Sequence, residues 1–413
     1  MADDLDDRAR PVAVGPPRTR MTRAARLRAE RNRRRRRTMA GLAIAVLICV
    51  IIATVFLGSR MWHSMFGAPS DYTGSGGTDV VIEVHDGDST TAIGKTLLNA
   101  EVVADVQSFV DAASDSAEMQ AIQPGFYKVR TEIPAASAVE RLTDPANRVG
   151  KLTIPEGRQL DDMTDVRTHA VTAGVLSLIA EATCTDLDGR RACVSVEDLR
   201  AAAAADNLEA LQVPQWAVEP ATAMGADHRR IEGLIAAGTW NVDPSASPQE
   251  ILASLIAASS LRYESGGLLD TAAAMHISPY DVLVVGSLVQ RESMPQDFPK
   301  VARVIYNRLA DNRKLEFDST VNYSLDRQEV ATTDADRARV TPWNTYASLG
   351  LPATPICSPS QAALAAAERP EPGDWLYFVT VDMQGTTLFT RDYEHHLANI
   401  EVARHNGVLD SAR

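Results

Sequence analysis

A single acidic residue ends an otherwise apolar helical stretch in the C-terminal half of this 413-residue chain. The segment VLVVGSLVQRES places Val284, Leu288 and Glu292 four residues apart, so that all three fall on one face of a helix. A carboxyl group held away from water has a raised pKa and can donate a proton near neutral pH. The alternative is a helix-end glutamate paired with Arg291 or Arg308. The spacing alone leaves both interpretations open.

The elements around this acid predict how it is positioned. A helix with Ser278 as its N-cap and Pro279 at its first position carries the acid. An amphipathic helix at 298–312, an alanine-rich helix at 361–368 and a hairpin within 375–390 follow it. Helices and strands alternate without a regular βαβ repeat, so the sequence predicts an α+β fold.

Further elements are predicted upstream of the acid. They are a strand and turn at 151–157, a helix over 158–170, a helix at 199–205, and a helix ending at 258 with Asp243, Ser245 or Ser247 as its cap. Together these elements would form the first part of a domain covering residues 150–413.

Charge is distributed unevenly along the chain, whose net charge is −13. Residues 1–37 contain thirteen arginines and five acids, and the following residues 38–58 contain no charged residue. About twenty apolar residues match the thickness of a bilayer, whereas a signal peptide has a shorter apolar core. We therefore expect a cytoplasmic arm, one transmembrane helix, and a cell-membrane protein whose acidic bulk is extracytoplasmic. The arginine run could instead indicate nuclear localisation or nucleic-acid binding, but the acidic bulk argues against a nucleic-acid partner.

A small module is predicted after a polar linker at 59–79. Within residues 80–149, a strand at 80–84 precedes a helix capped by Ser89, with Ile93 and Leu97 facing inward. A second helix near 106–113 and a strand at 125–129 complete a β-α-α-β order. This order resembles a LysM-like module, which implies binding of N-acetylated glycan chains. A plain spacer is the alternative.

The cysteines and histidines give little sign of a metal site. Cys184 and Cys193 flank a short turn and could form a disulfide or remain free thiols. His395 and His396 point to different sides of a helix, and neither CxxC nor HExxH occurs. We therefore predict no metal and no cofactor.

Several blocks near the acid carry a family resemblance. SLVQRES, KVARVIYNRL, LEFDSTVNY, WNTY and GLP occur in that order from about residue 231 to the C-terminus. This region resembles the catalytic domain of the YceG-like endolytic murein transglycosylases, the MltG family. The resemblance implies that Glu292 is the active-site acid. It also implies supporting or substrate-binding roles for a further set of residues: Asn307, Asp318, Thr320, Asn344 and Tyr346.

Within the matching blocks, Gln290 stands where many members have a second glutamate, Ser319 stands where proline is common, and YNTY becomes WNTY. Two larger departures occur: GLPPGPI becomes GLPATPI, and the upstream block that keeps Glu232 and Gly233 reads EGLIAAGTW. The GLPATPI change lies in a predicted substrate loop, where it could alter glycan contacts. Neither departure removes the acid.

The resemblance implies cleavage of the bond between N-acetylmuramic acid and N-acetylglucosamine in nascent peptidoglycan strands. The products would end in 1,6-anhydro-muramic acid, and the enzyme would act as a terminase of strand elongation beside cell-wall synthases. One carboxyl suffices for this reaction, whereas a true glycoside hydrolase needs a second, for which Asp318 and Asp297 are candidates. The third hypothesis is a catalytically silent glycan-binding scaffold.

Overall fold

The computed structural model describes residues 71–325 and 332–408. The predicted cytoplasmic arm (1–37), the predicted transmembrane helix (38–58) and the first part of the linker lie outside the described residues. Within those two ranges, no single helix is both long enough and apolar enough to cross a membrane. Helices accompany short, separate antiparallel sheets, which confirms the α+β prediction.

The N-terminal unit has the predicted β-α-α-β order, followed by a further helix and a short strand. Its elements are β1 (Asp79–Val84), α1 (Thr90–Asn99), α2 (Val106–Ser114), β2 (Gly125–Arg130), α3 (Ala135–Thr143) and β3 (Arg148–Val149). β2 lies between β1 and β3 in one antiparallel sheet. Ser89 caps α1 by accepting the backbone N–H of Ala92, and Ile93 and Leu97 are buried as predicted. The unit encloses a hydrophobic core of its own.

The second and larger core begins at Leu152. Its elements are β4 (Lys151–Ile154), β5 (Met163–Thr164), β6 (Val171–Thr172), α4 (Val175–Ala182), β7 (Thr185–Leu187), β8 (Arg190–Ala192), α5 (Val196–Ala204), α6 (Gln215–Ala223), β9 (Gly238–Asn241), α7 (Pro248–Ser265), α8 (Leu268–Met275), α9 (Pro279–Glu292), α10 (Phe298–Ala310), α11 (Asp318–Asn322), α12 (Asp334–Ala338), α13 (Gln361–Glu368), β10 (Tyr377–Thr380), β11 (Thr387–Thr390) and α14 (Tyr393–His405). Helix α9 lies at the centre, where it packs against α10 and α13.

The predicted helix over 158–170 is wrong. The structure has a turn there, followed by the short hairpin of β5 and β6. The Asp165 carboxylate accepts the backbone N–H groups of Arg167 and Thr168, which a helix would otherwise use. Aspartate competes for nearby backbone donors in this way and favours turns over helix interiors.

Helix α7 is longer than predicted, because it continues to Ser265 instead of ending at residue 258. Of the three proposed caps, Ser247 is the one used. Its hydroxyl accepts the backbone N–H of Glu250, and the Glu250 carboxylate accepts the Ser247 N–H in return. This capping box satisfies two donors that the first turn of a helix leaves unpaired.

A disulfide-closed hairpin joins the N-terminal unit to the larger core. Cys184 and Cys193 form a disulfide around β7 and β8, which decides between the two alternatives left open by the sequence. At the hairpin tip, Asp188 and Asp79 each accept the other's backbone N–H at 3.0 Å. The Lys128 ammonium also donates to the carbonyl of Asp186 at 3.1 Å. The hairpin therefore fixes the first strand of the unit to the domain that follows.

Candidate active site

Helix α9 carries the candidate acid out of the hydrophobic core. Tyr280 and every residue from Val282 to Val289 are buried, and Ser278 caps the helix as predicted. Gly286 lies against α13, since a Cβ added to it would stand 3.4 Å from Leu364 Cα, an ordinary van der Waals distance. The helix ends at Glu292 because Ser293 and Met294 are extended before Pro295.

Glu292 lies where the buried helix reaches the surface, and it is partly exposed. The pKa of its carboxyl is raised from 4.5 to about 7, mainly by burial and in addition by the negative charge of Asp318. The hydroxyl and backbone N–H of Ser319 and the positive charge of Arg291 oppose that rise. A carboxyl with this pKa is present in both protonation states near neutral pH.

The two arginines considered as ion-pair partners for Glu292 have other contacts. Arg308 pairs with Glu316 and donates to the carbonyl of Lys314. Arg291 points toward the carbonyl of Gly157, at 3.5 Å. Neither arginine lies within ion-pair distance of the Glu292 carboxyl in the described chain. The raised pKa is therefore not offset by a salt bridge.

Asp318 and Tyr346 stand beside the candidate acid. Asp318 begins the short helix α11, and its carboxylate accepts hydroxyl donors from Tyr346 at 2.9 Å and Thr332 at 2.7 Å. Arg337 lies 3.3 Å from the same carboxylate. Burial, followed by the charge of Asp318, raises the pKa of Tyr346, so its hydroxyl remains protonated and can donate. Asp318 and Tyr346, two of the supporting residues named from the sequence, therefore lie next to Glu292 in the fold.

The remaining predicted residues hold the surrounding backbone. Thr320 is fully buried and bonds to the Thr345 hydroxyl and the Phe317 carbonyl. The Asn344 amide nitrogen lies within hydrogen-bond distance of three carbonyls at the C-terminal end of α12, those of Asp336, Arg337 and Arg339. The Asn307 amide group donates to two carbonyls before β10, those of Gly373 and Trp375. Direct sugar contact by Asn307 and Asn344 stays a prediction, and their amide donors are already engaged.

The two departures from the family pattern in WNTY and GLPATPI meet in space. The indole N–H of Trp343 donates to the hydroxyl of Thr354 at 2.8 Å, and both side chains are buried. The Thr354 hydroxyl in turn donates to the carbonyl of Pro355. The changed residue Thr354 therefore faces the protein interior.

A second buried carboxyl, that of Glu232, was given no role from the sequence. The residue is 1% exposed, and Oε2 accepts the backbone N–H of Leu160 at 2.9 Å and the hydroxyl of Tyr323 at 2.7 Å. Its Oε1 is buried without a hydrogen-bond partner. Burial raises the pKa of Glu232 to about 7, which the donors from Leu160 and Tyr323 only partly oppose.

Helix α11 connects the two carboxyls whose pKa values are raised, those of Glu292 and Glu232. Ser319 in its first turn faces Glu292, and Tyr323, directly after its last residue, bonds to Glu232. Across residues 71–325 and 332–408, no group of three or more His, Cys, Asp or Glu side chains is arranged to hold a metal ion.

Comparison with known proteins gives the family. The YceG-like family model matches residues 82–402. Endolytic murein transglycosylase of Bacillus subtilis is 24% identical over 77% of this chain and 83% of its own length. The protein of that name from Streptococcus pneumoniae is 26% identical over 78% of this chain, which spans 58% of that longer protein. A YceG-like protein of Listeria monocytogenes has a solved structure with 21% identity and a TM-score of 0.46, covering 78% of this chain and 98% of that one. The chain belongs to the YceG-like family.

Proposed function

We propose that this protein is an endolytic lytic transglycosylase that cuts peptidoglycan glycan strands with Glu292 as its acid. The observation that carries the proposal is the carboxyl at the end of buried α9, whose pKa is raised to about 7. An acid of this kind is protonated often enough at neutral pH to protonate a leaving oxygen. The names of the relatives from Bacillus subtilis and Streptococcus pneumoniae support the choice of substrate.

In the first step, the Glu292 carboxyl protonates the oxygen that leaves C1 of N-acetylmuramic acid, and the glycosidic bond breaks. The carboxylate left on Glu292 then takes the proton of the muramoyl 6-hydroxyl, whose oxygen bonds to C1. The product carries a 1,6-anhydro ring, no water is consumed, and Glu292 is protonated again. A pKa near 7 suits both steps because the same group must give and regain a proton.

Asp318 and Tyr346 serve the charge that develops between these steps. The oxocarbenium-like sugar is positive, and the carboxylate of Asp318 stabilises it. The Tyr346 hydroxyl, 2.9 Å from Asp318, and Arg337, 3.3 Å away, keep that carboxylate in place. The negative charge of Asp318 also disfavours ionisation of Glu292, which helps to keep the pKa of the acid near 7.

The location and partners follow from the sequence. The uncharged segment 38–58 after thirteen arginines supports a single membrane helix with a cytoplasmic N-terminus and an extracytoplasmic enzyme. A short linker keeps the site near the bilayer, where nascent strands leave cell-wall synthases, so the enzyme ends strand elongation there. In this proposal the β-α-α-β unit is a LysM-like module that binds glycan, and its own hydrophobic core supports a separate role.

Mass spectrometry of digested, uncrosslinked glycan strands tests the activity. The full-length wild type should yield internal fragments with 1,6-anhydro-muramic ends, and Glu292→Gln should lower the rate by about a hundredfold to ten-thousandfold. Glu219→Gln, on an exposed position of α6, is the matched control. Reducing-end products would instead indicate a hydrolase that uses Asp318 as second carboxyl. No cleavage by the wild type would leave the scaffold hypothesis.

A further inference from the structure

A cavity of about 510 Å³, which we call the α13 cavity, runs along one face of helix α13. The opposite wall consists of the end of β4, the chain at 236–238 and the last turn of α7. The volume lies in the range of pockets that hold small ligands, about 300 to 1,000 Å³. The residues that α13 and its C-cap contribute are spaced three or four apart, as one helix face requires: Gln361, Leu364, Ala365, Glu368 and Arg369.

The cavity begins beside the candidate acid because α13 runs antiparallel to α9. The backbone N–H of Ser360, which lines the cavity, donates to the side chain of Gln290 at 2.9 Å. One turn further along α13, Leu364 lies against Gly286, which is one turn earlier in α9. The N-terminal end of α13 is therefore next to the turn of α9 that carries Glu292, and its C-terminal end lies further from the acid.

A loop wall joins the same end of the cavity to the candidate acid. Glu156 lines the cavity, and the carbonyl of the next residue, Gly157, faces the guanidinium of Arg291 at 3.5 Å. A Cβ added to Gly157 would stand 3.5 Å from Cγ of Gln290. The wall of the cavity thus contacts the two residues that directly precede Glu292.

At the other end of the cavity, Glu368 places a carboxyl group that lacks a partner. The residue is 6% exposed, and in the part of the chain that the structure describes its carboxyl has neither a hydrogen bond nor an ion pair. Neither of its oxygens is closed off from the cavity as Oε1 of Glu232 is closed off from its surroundings. Burial raises the pKa of Glu368, and the positive charge of Arg369 opposes that rise. A carboxyl that is desolvated and unpaired in this way is stabilised by a ligand that donates to it.

The position of this carboxyl favours a cation. Glu368 is the last residue of α13, where the backbone carbonyls of the helix point and the helix dipole is negative. An ammonium group placed there is attracted by the carboxylate and by the helix end together. The ligand chemistry that fits this end of the cavity is therefore an amine.

The two arginines of the cavity differ in what they leave free. The guanidinium of Arg262 donates to the carbonyl of Ala237 at 2.9 Å and stacks over the Trp240 ring at 3.9 Å. The guanidinium of Arg369 is exposed, and among residues 71–325 and 332–408 it has no hydrogen bond or ion pair, so it is free to meet a carboxylate at the rim. A peptide that contains a diamino acid offers an amine, a carboxylate and aliphatic carbon, and apolar side chains line the cavity for the last of these: Ile154, Leu364 and Ala365.

We propose that the α13 cavity binds the peptide stem that peptidoglycan carries on N-acetylmuramic acid, with the carboxylate of Glu368 paired to the side-chain amino group of the diamino acid in that stem. The proposal rests on the function proposed above and adds a second part of the substrate to it. The seven residue steps from Gln361 to Glu368 correspond to about 10 Å of helix. Three extended peptide residues span about the same length. A stem that starts at the sugar beside Glu292 therefore brings its third residue, the diamino acid, to Glu368.

A free stem peptide tests the site without any bond that the protein could cut. The probe is L-alanyl-γ-D-glutamyl-L-lysine, and a second probe carries an acetyl group on the lysine side-chain amine. Titration calorimetry on the full-length wild type should show about tenfold weaker binding of the acetylated probe, because acetylation removes the charge that Glu368 meets. In Glu368→Gln the two probes should bind alike. Glu371→Gln, at an exposed position outside the cavity, is the control and should keep the tenfold difference.

Two results of this titration refute the site. One is an equal effect of acetylation in wild type and in folded Glu368→Gln. The other is the absence of binding of both probes to the folded wild type, which would leave the cavity to a different occupant such as a segment of a partner protein. The acetylated probe changes the ligand and leaves the protein intact, so this part of the test is independent of how any variant folds.

Narrowing the cavity tests the same site in the reaction. Ala365→Leu adds bulk to the wall, and Ala362→Leu is the matched control on the exposed side of α13. Both changes keep a residue that favours helix. Ala365→Leu should raise KM about tenfold for strands that carry stems and leave KM unchanged for strands from which the stems were removed. A KM that rises equally for both kinds of strand, or for neither, overturns the stem site.

The activity of the wild type separates the stem site from the proposed function. Cleavage of strands by the wild type, together with peptide binding that is insensitive to Glu368→Gln, overturns the stem site alone. Peptide binding that depends on Glu368, without any cleavage of strands by the wild type, overturns the enzyme and keeps the stem site. Cleavage together with the tenfold preference for the free amine supports both.

Discussion

Replacing Glu232 by glutamine should flatten the pH dependence of stability near neutral pH. The buried carboxyl has its pKa raised from 4.5 to about 7 in the folded protein. Below about pH 4.5 both states bind the proton, so the carboxyl has no pH-dependent effect. Between about pH 4.5 and pH 7 the unfolded chain loses its proton while the folded protein keeps it. The free energy of unfolding therefore falls as pH rises through this window, and it levels off above it.

The size of the effect follows from the two pKa values. They differ by about 2.5 pH units, and each pH unit corresponds to about 1.4 kcal/mol, which gives about 3 kcal/mol of lost stability by pH 8. Glu232 is 1% exposed, so solvent screening reduces this value little. Glu292, whose pKa is also raised to about 7, contributes a loss of the same sign. Glu232→Gln and Glu292→Gln should each remove the contribution of one carboxyl to the pH dependence of stability, and the double variant should remove both contributions.

Urea unfolding of the full-length protein at several pH values between about 5 and 9 measures the effect. The difference in the free energy of unfolding between wild type and Glu232→Gln should change by about 2.5 kcal/mol across this range, because part of the loss has already occurred by pH 5. Glu250→Gln is the control, because capping contacts from Ser247 lower the pKa of Glu250. Any stability that Glu250 adds is fully present above the pKa of this group in the unfolded chain. Replacing Glu250 therefore leaves the pH dependence of the free energy of unfolding unchanged over this range. If the free energy of unfolding depends on pH equally in wild type and Glu232→Gln, the inference that Glu232 is desolvated and neutral in the folded protein is refuted.

Three further predictions concern contacts around the site and the hairpin. Asp318→Asn should lower the pKa of Glu292, so that the alkaline limit of kcat/KM moves about one pH unit lower in a pH–rate profile. Thr354→Ala should cost about 1 to 3 kcal/mol by leaving the indole of Trp343 unpaired, and a double-mutant cycle with Trp343→Phe should show non-additive stabilities. Reducing the disulfide between Cys184 and Cys193, which closes a short loop, should lower the free energy of unfolding by about 2 to 3 kcal/mol in the same urea assay. Additive stabilities would count against the Trp343–Thr354 hydrogen bond, and an unchanged free energy of unfolding after reduction would count against the disulfide.

The sequence predicted the elements whose causes are local. Ser89, Ser247 and Ser278 each cap the helix expected after them, because a cap depends on residues only a few positions away. The helix predicted over 158–170 failed for an equally local reason, the turn closed by Asp165. The end of α7 also has a local cause that the prediction missed, because the helix stops at Gly266 and Gly267, and Gly267 has a positive φ.

Glu232 shows why part of the site could not be predicted. Its hydrogen-bond partners, Leu160 and Tyr323, lie 72 and 91 residues away in the chain, so no local pattern joins them. One signal was present: Glu232 is a single acid beside the apolar stretch IEGLIAAG, as Glu292 is at the end of α9. The rule that drew attention to Glu292 applies equally to Glu232, and only the tertiary contacts show what each carboxyl faces.

The pairing of Trp343 with Thr354 changes the meaning of two departures from the family pattern. From the sequence, a changed loop at GLPATPI was expected to alter contacts with the glycan. In the structure Thr354 is fully buried and accepts the indole N–H of Trp343, and Arg229 stacks over the face of the same indole. A buried donor needs an acceptor, so a tryptophan at 343 requires a group such as a hydroxyl at 354. The two changes therefore belong together as one buried donor–acceptor pair, and neither side chain is exposed where a loop would meet a ligand.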